Sequence, residues 1–397
     1  MASRRDTVTE SYAPPPAPGK NGVRPSKPVP DVRGRATSSR VSRLLLGRRA
    51  LVPVLAFAAA VAGCSPAAAG GVVVVGPAAP PLPPVAPDVA MLSAEGAPFG
   101  LRRSALADQW FWLRTRAVDG DVPSGFERAR AAMLDLRAAL SADAEAWEEV
   151  EVSLGSARSG EELLDALRVL PAERVTGDAR VSLRAPALAV ARELRDTEAL
   201  YRKGPYRSHA ATIDAAARDL LRVLGAREGE LAQAIRAEMR AGQDLPSVVL
   251  TLVADAPYAG AFAADERGRS AAVFVRVRGL EGGALLETAL AEWLHAVDEL
   301  TVRDTGSAMN VLRKALARGG MGSDDANVEM VVNTVTYAEA ASLVRRFGDP
   351  SHRPLGESGF YELYPPAKAI VAAWDRHLAG EPLEATAEAI ARAVASP

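Results

Sequence analysis

Apolar residues recur at every third or fourth position through most of the chain between residues 104 and 243. The pattern is clearest in the segments FERARAAMLDLRAAL, EELLDALRVL, LAVARELRDTEALYRK, IDAAARDLLRVLG and LAQAIRAEMRAG. Such spacing places the apolar side chains along one face of an α-helix. Glycine and proline residues separate the segments, as they commonly do at helix ends. The pattern predicts five to seven helices in this part of the chain.

Two runs rich in β-branched residues follow the helical region. They read SVVLTLVA at 247–254 and AAVFVRVR at 271–278, and their apolar residues partly alternate with others. This composition and this period favour β-strands. A loop that contains Pro257, Gly260 and Gly268 separates the two runs. We expect the two runs to form paired strands.

The remainder of the chain returns to helical periodicity. An amphipathic segment, LLETALAEWLHAVDELT, occupies 285–301, and further helical patterns cover 328–347, 366–379 and 383–395. A stretch rich in Gly, Asp and Ser at 317–327 separates the first two. The chain is therefore predicted to be mainly α, in the α+β class, with a helical bundle and a small β-sheet packed on the helix at 285–301.

The N-terminal region carries basic, apolar and small residues in the order of a signal peptide. Arginines between positions 43 and 49 precede an apolar run from Ala50 to Ala62. The run is shorter than the about 20 apolar residues that a bilayer-spanning helix needs. Residues 43–63 are therefore predicted to direct export of the chain and to be removed.

The apolar run ends at Val61-Ala62-Gly63-Cys64, which resembles a bacterial lipobox. In that family the cysteine receives a diacylglyceryl group and becomes the N-terminus of the mature protein. The resemblance therefore implies that Cys64, the only cysteine of the chain, is lipidated and ties the protein to a membrane. The residues alone leave another interpretation open, in which Cys64 is an ordinary cysteine at the end of an uncleaved anchor.

The segments around the predicted signal peptide differ in composition from the rest of the chain. Residues 1–42 are polar and rich in proline, and we expect them to be disordered or to precede the true start site. Residues 64–99 are rich in Pro, Ala and Gly, which predicts an extended tether. Residues 100–397 are predicted to form one helical domain. The protein is expected to be exported, lipid-anchored to the cell membrane or the outer membrane, and facing the periplasm.

Composition excludes several classes of function. Lys and Arg number 47 against 49 Asp and Glu, so the formal net charge of -2 gives no positive field for nucleic acid. A single cysteine excludes an intramolecular disulfide framework and a Cys-rich metal site. The G-x-S-x-G, P-loop and dinucleotide-binding glycine motifs do not occur in the sequence. The expected partners are a membrane, through the lipid anchor, and a peptide or protein, with no nucleic acid.

The predicted helix at 285–301 contains Glu292-Trp293-Leu294-His295. This stretch resembles the active-site helix of zincin metallopeptidases, whose motif is H-E-x-x-H. Histidines at positions i and i+4 lie on one helix face and bind one zinc ion, while the glutamate activates the bound water. The resemblance implies that Glu292 is the general base and that His295 is a zinc ligand. Ala291 occupies the position of the first histidine, so the zinc motif is incomplete.

The third ligand implied by the resemblance is Glu339. It lies in the following helical segment, VVNTVTYAEAASLVRR, from which some zincin families take a glutamate ligand. A catalytic zinc ion usually has three protein ligands and a water molecule. The chain thus resembles a metallopeptidase with a degenerate zinc site, and zinc is the cofactor that the resemblance implies.

The leading functional interpretation is a membrane-anchored envelope lipoprotein with a zincin-like metallopeptidase domain that is inactive or impaired. An inactive domain would use the cleft to hold a peptide or protein. The alternative is a non-enzymatic helical lipoprotein with a structural or partner-binding role, in which Glu292 and His295 are an ordinary pair on one helix face. A third option is a rearranged active site that recruits His209 or His352.

Overall fold

The structure is a computed structural model. It describes residues 89–91, 99–141, 144–176, 179–225, 227–241, 245, 248–264, 271–300, 306–322, 326–358 and 360–395. The N-terminal extension, the predicted signal peptide, Cys64 and the tether up to residue 88 lie outside the described residues. All of the described residues belong to one compact unit, Thr37–Pro397.

The elements are numbered here in the order in which they occur along the chain. The first part forms β1 (Val89–Met91), β2 (Phe99–Ser104), α1 (Ala105–Asp119), α2 (Glu127–Ala139), α3 (Ala144–Ser156), α4 (Gly160–Arg168), β3 (Glu173–Thr176), β4 (Ala179–Ser182), α5 (Arg184–Lys203), α6 (Pro205–Leu224) and α7 (Glu228–Glu238). The second part forms β5 (Val248–Val253), β6 (Gly260–Ala264), β7 (Ala271–Arg276), α8 (Gly282–Leu300), α9 (Ala308–Arg318), α10 (Ala326–Phe347), a short 3₁₀-helix (Leu355–Ser358), α11 (Phe360–Leu363), α12 (Ala367–Leu378) and α13 (Leu383–Ala395).

The main sheet has the strand order β1-β2-β5-β7-β6 in the described part of the chain. Its central strands β2, β5 and β7 are parallel, with Leu101 opposite Leu250 and Leu250 opposite Val273. The edge strands β1 and β6 are antiparallel to their neighbours. Parallel neighbours need a long crossover connection, and α1 to α7 supply it between β2 and β5. The strands β3 and β4 form a separate antiparallel hairpin.

Helices cover both faces of the main sheet. On one face Leu252 and Val275 pack into a core with the second half of α6 and with the helices from α7 onward. On the other face Val253 and Phe274 pack into a core with α1 to α5. Successive strand residues point to opposite faces, so β5 and β7 contribute to both cores. Full burial of each such side chain stabilises the fold by about 1.5–3 kcal/mol.

Helix α1 starts directly at the carboxyl end of β2. Ser104 ends the strand and also caps the helix, because its hydroxyl accepts a hydrogen bond of 3.2 Å from the Ala107 N–H. At the other end Gly120 has a φ of 80°, a left-handed conformation that glycine adopts easily. The first turn of α1, which contains Asp108, is thereby held at the carboxyl edge of the parallel strands.

The fold class predicted from the sequence is confirmed, since the described protein is mainly α with a small sheet. Seven helices lie in the described residues between 105 and 238, at the upper end of the predicted range. The runs at 247–254 and 271–278 contain β5 and β7, which pair directly. The predicted final helices correspond to α12 and α13. None of the described helices is both long and apolar enough to cross a membrane.

Some elements differ from the sequence expectation. Strand β1 lies inside the segment 64–99 that was expected to be only a tether, and it pairs with Arg102–Ser104 of β2. The folded part therefore begins before residue 100. The sequence analysis did not predict helix α9. It also did not predict the hairpin of β3 and β4, because each of these strands is only four residues long and a short strand gives little periodicity.

Candidate functional site

Helix α8, which carries the zincin-like motif, packs between the sheet and α10. It contacts β5, β6 and β7 on one side and α10 on another. Glu292 is buried on this helix and lies against Gly260, the first residue of the edge strand β6. A side chain at position 260 would overlap the Glu292 carboxyl group. Glycine at position 260 therefore leaves the space that the Glu292 carboxyl group occupies.

His295 lies one turn beyond Glu292 and is half-buried. Its ring packs edge-on against the buried ring of Tyr337 of α10, with 6.3 Å between the ring centroids and 72° between the planes. Burial raises the pKa of Tyr337 well above its usual value, and the charges of Glu292 and Glu287 raise it further. The phenol thus stays protonated and can only act as a neutral hydrogen-bonding group near the motif.

A second carboxylate, Glu287, lies on α8 before the motif. It is fully buried and pairs with His352 Nε2. The Leu355 N–H donates to both of its oxygens, at 3.1 and 3.0 Å. Gly283, one turn earlier, leaves space for the His352 ring, which a side chain there would displace. Glu287 therefore fixes the segment that follows α10 onto the start of α8.

We name Glu287, Glu292, His295, Tyr337 and His352 the α8 seam. The two histidines of the seam have different neighbours in the contacts described above. The Glu287 carboxylate meets His352, and the His295 ring meets Tyr337. The seam is a set of contacts between α8 and the segments that pack on it.

Glu339, the ligand implied by the zincin resemblance, lies in a different environment. It is fully buried, and its Oε2 accepts a hydrogen bond of 2.9 Å from the Trp374 Nε1–H of α12. Burial raises the pKa of Glu339 well above its usual value, and a hydrogen bond with the Glu238 carboxyl group of α7 raises it further. Glu339 follows Tyr337 by two residues, so it lies about 200° around α10 from the residue that meets His295.

The residues of the predicted zinc site therefore do not fit a zincin-type ion. Ala291 has no ligand atom and is fully buried. The Glu339 carboxyl group is used by Trp374 and Glu238. Within the described residues, no three His, Cys, Asp or Glu side chains form a group that could hold a metal ion. Glu292 and His295 share α8, whereas Glu339 Oε2 accepts its hydrogen bond from Trp374 of α12.

The structure also shows a polar network that the sequence reasoning missed, centred on Asp108 of α1. Asp108 is fully buried. Its Oδ1 accepts a hydrogen bond of 2.6 Å from the Ala254 N–H, and its Oδ2 accepts one of 2.6 Å from the Tyr201 hydroxyl. His209 Nδ1 lies 2.8 Å from the same Oδ2. Burial raises the pKa of Tyr201 well above its usual value, and the Asp108 charge raises it further. Tyr201 therefore remains a proton donor to Asp108.

The other side of the His209 ring faces the loop after β5. His209 Nε2 lies 3.6 Å from Asp255 Oδ2, and Arg278 donates to that same oxygen at 2.6 Å. Asp255 follows the end of β5 by two residues, as Arg278 follows β7. Both therefore lie at the carboxyl edge of the parallel strands, where α/β proteins commonly bind ligands. We name Asp108, Tyr201, His209, Asp255 and Arg278 the Asp108 network.

One sequence signal bears on the Asp108 network. The segment LTLVADAP has a strongly apolar run followed by Asp255. An aspartate in this position is expected to lie at the end of the strand. Asp108 gives no comparable signal, because it lies inside an apolar helical segment, ALADQWFWLR. His209 and His352, the candidates for a rearranged active site, lie in different places: His209 belongs to the Asp108 network and His352 to the α8 seam.

Comparisons with protein-family models, with curated proteins and with solved structures found no match for the chain.

Proposed function

We propose that this protein is a lipid-anchored envelope lipoprotein whose zincin-like folded part holds a peptide or protein partner and does not hydrolyse peptide bonds through a zinc ion. The single observation that carries the proposal is the position of Glu339. Its carboxyl group is buried against Trp374 and Glu238 rather than directed to His295. A catalytic zinc ion would therefore have too few ligands on α8.

The packing of the α8 seam supports a role other than hydrolysis. A general base must reach a water molecule within about 2.6–3.2 Å. Glu292, the candidate base, is buried against Gly260, and the nearby carboxylate Glu287 is held by His352 and the Leu355 N–H. Carboxylates used in this way stabilise the α8 helix against its neighbours.

The sequence around Cys64 supports the anchoring part of the proposal. A lipidated cysteine at this position would precede Val89, the first described residue of the fold, by 25 residues of chain. A chain spans at most about 3.3–3.6 Å for each residue, so this segment reaches at most roughly 80–90 Å. A partner held by the domain would therefore be held close to the membrane surface.

Anchoring is tested by mass spectrometry of the mature N-terminal peptide from membranes of expressing bacteria. We expect the peptide to begin at Cys64 and to carry acyl chains. A Cys64→Ala variant should lose the acyl chains and leave the detergent phase in a two-phase extraction. A mature N-terminus upstream of Cys64 without acyl chains contradicts lipidation, whatever the fold does.

The non-hydrolytic part is tested by the zinc content of the purified full chain and of the His295→Ala variant, measured by mass spectrometry. We expect the zinc content to be the same in the two proteins. His295 packs against Tyr337, Ala291 has no ligand atom, and Glu339 is bound to Trp374. A His377→Ala variant serves as the matched control, since His377 lies on α12 and outside the α8 seam. Stoichiometric zinc that is lost only in His295→Ala, together with peptidase activity, overturns the proposal.

A further inference from the structure

The chain enters the fold at the carboxyl edge of the parallel strands. Val89, the first described residue, lies opposite Ser104 in the pairing of β1 with β2. Ser104 is the last residue of β2 and the cap of α1. A tether that is held in a membrane at Cys64 is therefore joined to the fold at this edge.

The turn between α5 and α6 lies at the same edge. Tyr201, near the end of α5, donates a hydrogen bond of 2.6 Å to Asp108 Oδ2, and His209 Nδ1 of α6 lies 2.8 Å from the same oxygen. Asp108 belongs to the first turn of α1, which begins directly after Ser104. The Asp108 carboxylate therefore holds both sides of the turn beside the point where the chain enters.

The turn is basic. Residues 199–213 contain Arg202, Lys203 and Arg207 and no Asp or Glu. Arg202 pairs with Glu198 at 2.9 Å. Lys203 and Arg207 are exposed, and neither forms an ion pair with another residue in the described part of the chain. The turn therefore presents two positive charges to the solvent.

Acidic side chains of the neighbouring elements do not cancel these charges. Asp214 of α6 pairs with Arg103, and Asp255 of the loop after β5 pairs with Arg278. Asp108 is fully buried. The exposed charge that the turn adds to this edge is therefore positive.

An exposed apolar side chain accompanies the two charges. Leu200 is 43% exposed. It precedes Lys203 by three residues on α5, so the two side chains share one face of the helix. Elements that lie on a bilayer surface combine these residue types, because the apolar group enters the headgroup region while the cations meet the lipid phosphates.

We propose that the turn between α5 and α6 docks, through Leu200, Lys203 and Arg207, on the surface of a bilayer that contains anionic phospholipid. The inference rests on the anchoring part of the proposed function, because two basic residues raise the affinity for such a surface by only about fivefold each. An anchor keeps the domain within reach of the bilayer, so this weak attraction is then enough to decide which side of the fold faces it. The carboxyl edge of the parallel strands faces the lipid in this arrangement.

The test measures how close two positions of the fold lie to a bilayer. The full chain is purified from membranes of expressing bacteria and reconstituted into phosphatidylcholine vesicles with or without phosphatidylglycerol. A fluorophore on an introduced cysteine transfers energy to an acceptor-labelled lipid. Ala211→Cys places the fluorophore on an exposed position of α6, one turn after Arg207. Ala369→Cys places it on an exposed position of α12, a helix of the core on the other face of the sheet.

The expected result is a difference between the two positions that depends on anionic lipid. With phosphatidylglycerol present, we expect energy transfer from Ala211→Cys to be at least about twofold higher than from Ala369→Cys, because the cations are attracted to the lipid phosphates. Without phosphatidylglycerol the difference should disappear. It should also disappear in about 1 M salt, which screens charges beyond about 3 Å.

Charge variants decide whether the turn itself docks. Lys203→Gln combined with Arg207→Gln should remove the difference between the two labelled positions. The matched control is Arg236→Gln combined with Lys368→Gln, which removes the same charge from exposed positions of α7 and α12 and should leave the difference intact. A difference that survives the substitutions at 203 and 207, or equal transfer from both positions in phosphatidylglycerol vesicles, overturns the proposal.

The same preparation separates failure of docking from failure of lipidation. Cys64 is the only cysteine of the chain, so a thiol reagent should not label the unaltered chain when that sulfur carries a diacylglyceryl group. Labelling of the unaltered chain contradicts lipidation but not docking. Docking is then measured in a Cys64→Ser background, in which the uncleaved apolar run 50–62 is the anchor.

Discussion

The α8 seam and the Asp108 network both contain buried carboxylates and histidines, but they are built in different ways. The seam takes Glu287, Glu292 and His295 from one helix, and these residues meet neighbours one after another along its length. In the network, residues from α1, α5, α6 and the loops after β5 and β7 converge around Asp108 and His209.

The difference shows why a sequence motif and a spatial site are not equivalent. Residues on one helix face have fixed relative positions, so the sequence alone predicts that Glu292 and His295 are neighbours. It does not predict what lies opposite them. The partners of Asp108 are 93, 101 and 146 positions away along the chain. Only the packing of helices on the sheet brings them together.

Removal of the Asp108 carboxylate is expected to have the largest effect on stability. Asp108→Ala removes the acceptor for the Tyr201 hydroxyl, for His209 and for the Ala254 N–H, all in buried surroundings. We expect the free energy of unfolding to fall by about 3–5 kcal/mol, since donors are left without an acceptor. Urea unfolding measures this. Asp135→Ala, on the exposed face of α2, should change it by less than about 0.5 kcal/mol. A loss below about 1 kcal/mol for Asp108→Ala would show that the network does not stabilise the fold.

The contact between β6 and the α8 seam gives a smaller effect. Gly260→Ala places a methyl group where the Glu292 carboxyl group lies, and we expect it to lower the free energy of unfolding by about 1–3 kcal/mol. In a Glu292→Ala background the same substitution should cost at least about 1 kcal/mol less, because the overlap is gone. Urea unfolding of the four proteins of this cycle gives the coupling energy. Additive effects would mean that position 260 is constrained by something other than Glu292.

The smallest expected effect concerns Glu339 and depends on pH. The folded state raises the pKa of Glu339 above the ordinary glutamate value of 4.5, first through burial and then through Glu238. The folded state therefore keeps a proton that the unfolded state loses above about pH 4.5. Consequently the free energy of unfolding falls as pH rises from that value toward the folded-state pKa.

Glu339→Gln should remove this dependence, because an amide can donate to Glu238 and accept from Trp374 without ionising. At pH 8 we expect the free energy of unfolding of the variant to exceed that of the unaltered chain by on the order of 1 kcal/mol. Urea midpoints measured between pH 4 and pH 9 check this. Glu362→Gln, at an exposed position, should keep the original slope. An unchanged slope in Glu339→Gln would mean that Glu339 is ionised in the fold.

Much of the fold could be predicted from periodicity, and the failures have physical reasons. The α7, α8 and α12 segments were found because an amphipathic face repeats over several turns. The β-branched residues predicted strands β5 and β7. They did not predict the parallel pairing of these strands, because β6 lies between them in the chain but pairs with the other side of β7, at the edge of the sheet. Strand β1 was missed because Val89–Met91 is too short to show a period.

The candidate site could be predicted only where it lies on one element. The sequence placed Glu292 and His295 on one amphipathic helix, and the structure places both on α8. It could not exclude Glu339 as their partner, since the direction of a side chain around α10 depends on which face of that helix meets α8. It gave no indication of Asp108, because a single carboxylate in an apolar helix resembles any other polar residue.

The sequence by itself determined the helical segments, the apolar strands and the order of basic, apolar and small residues before Cys64 that predicts export. These features depend on neighbouring residues, whose spacing is fixed by covalent geometry. The tertiary structure alone decided which carboxylates and histidines meet. Burial of polar groups is tolerated only when hydrogen-bonding partners are brought to them, and those partners come from distant parts of the chain. Glu339 therefore pairs with Trp374, and Asp108 with His209.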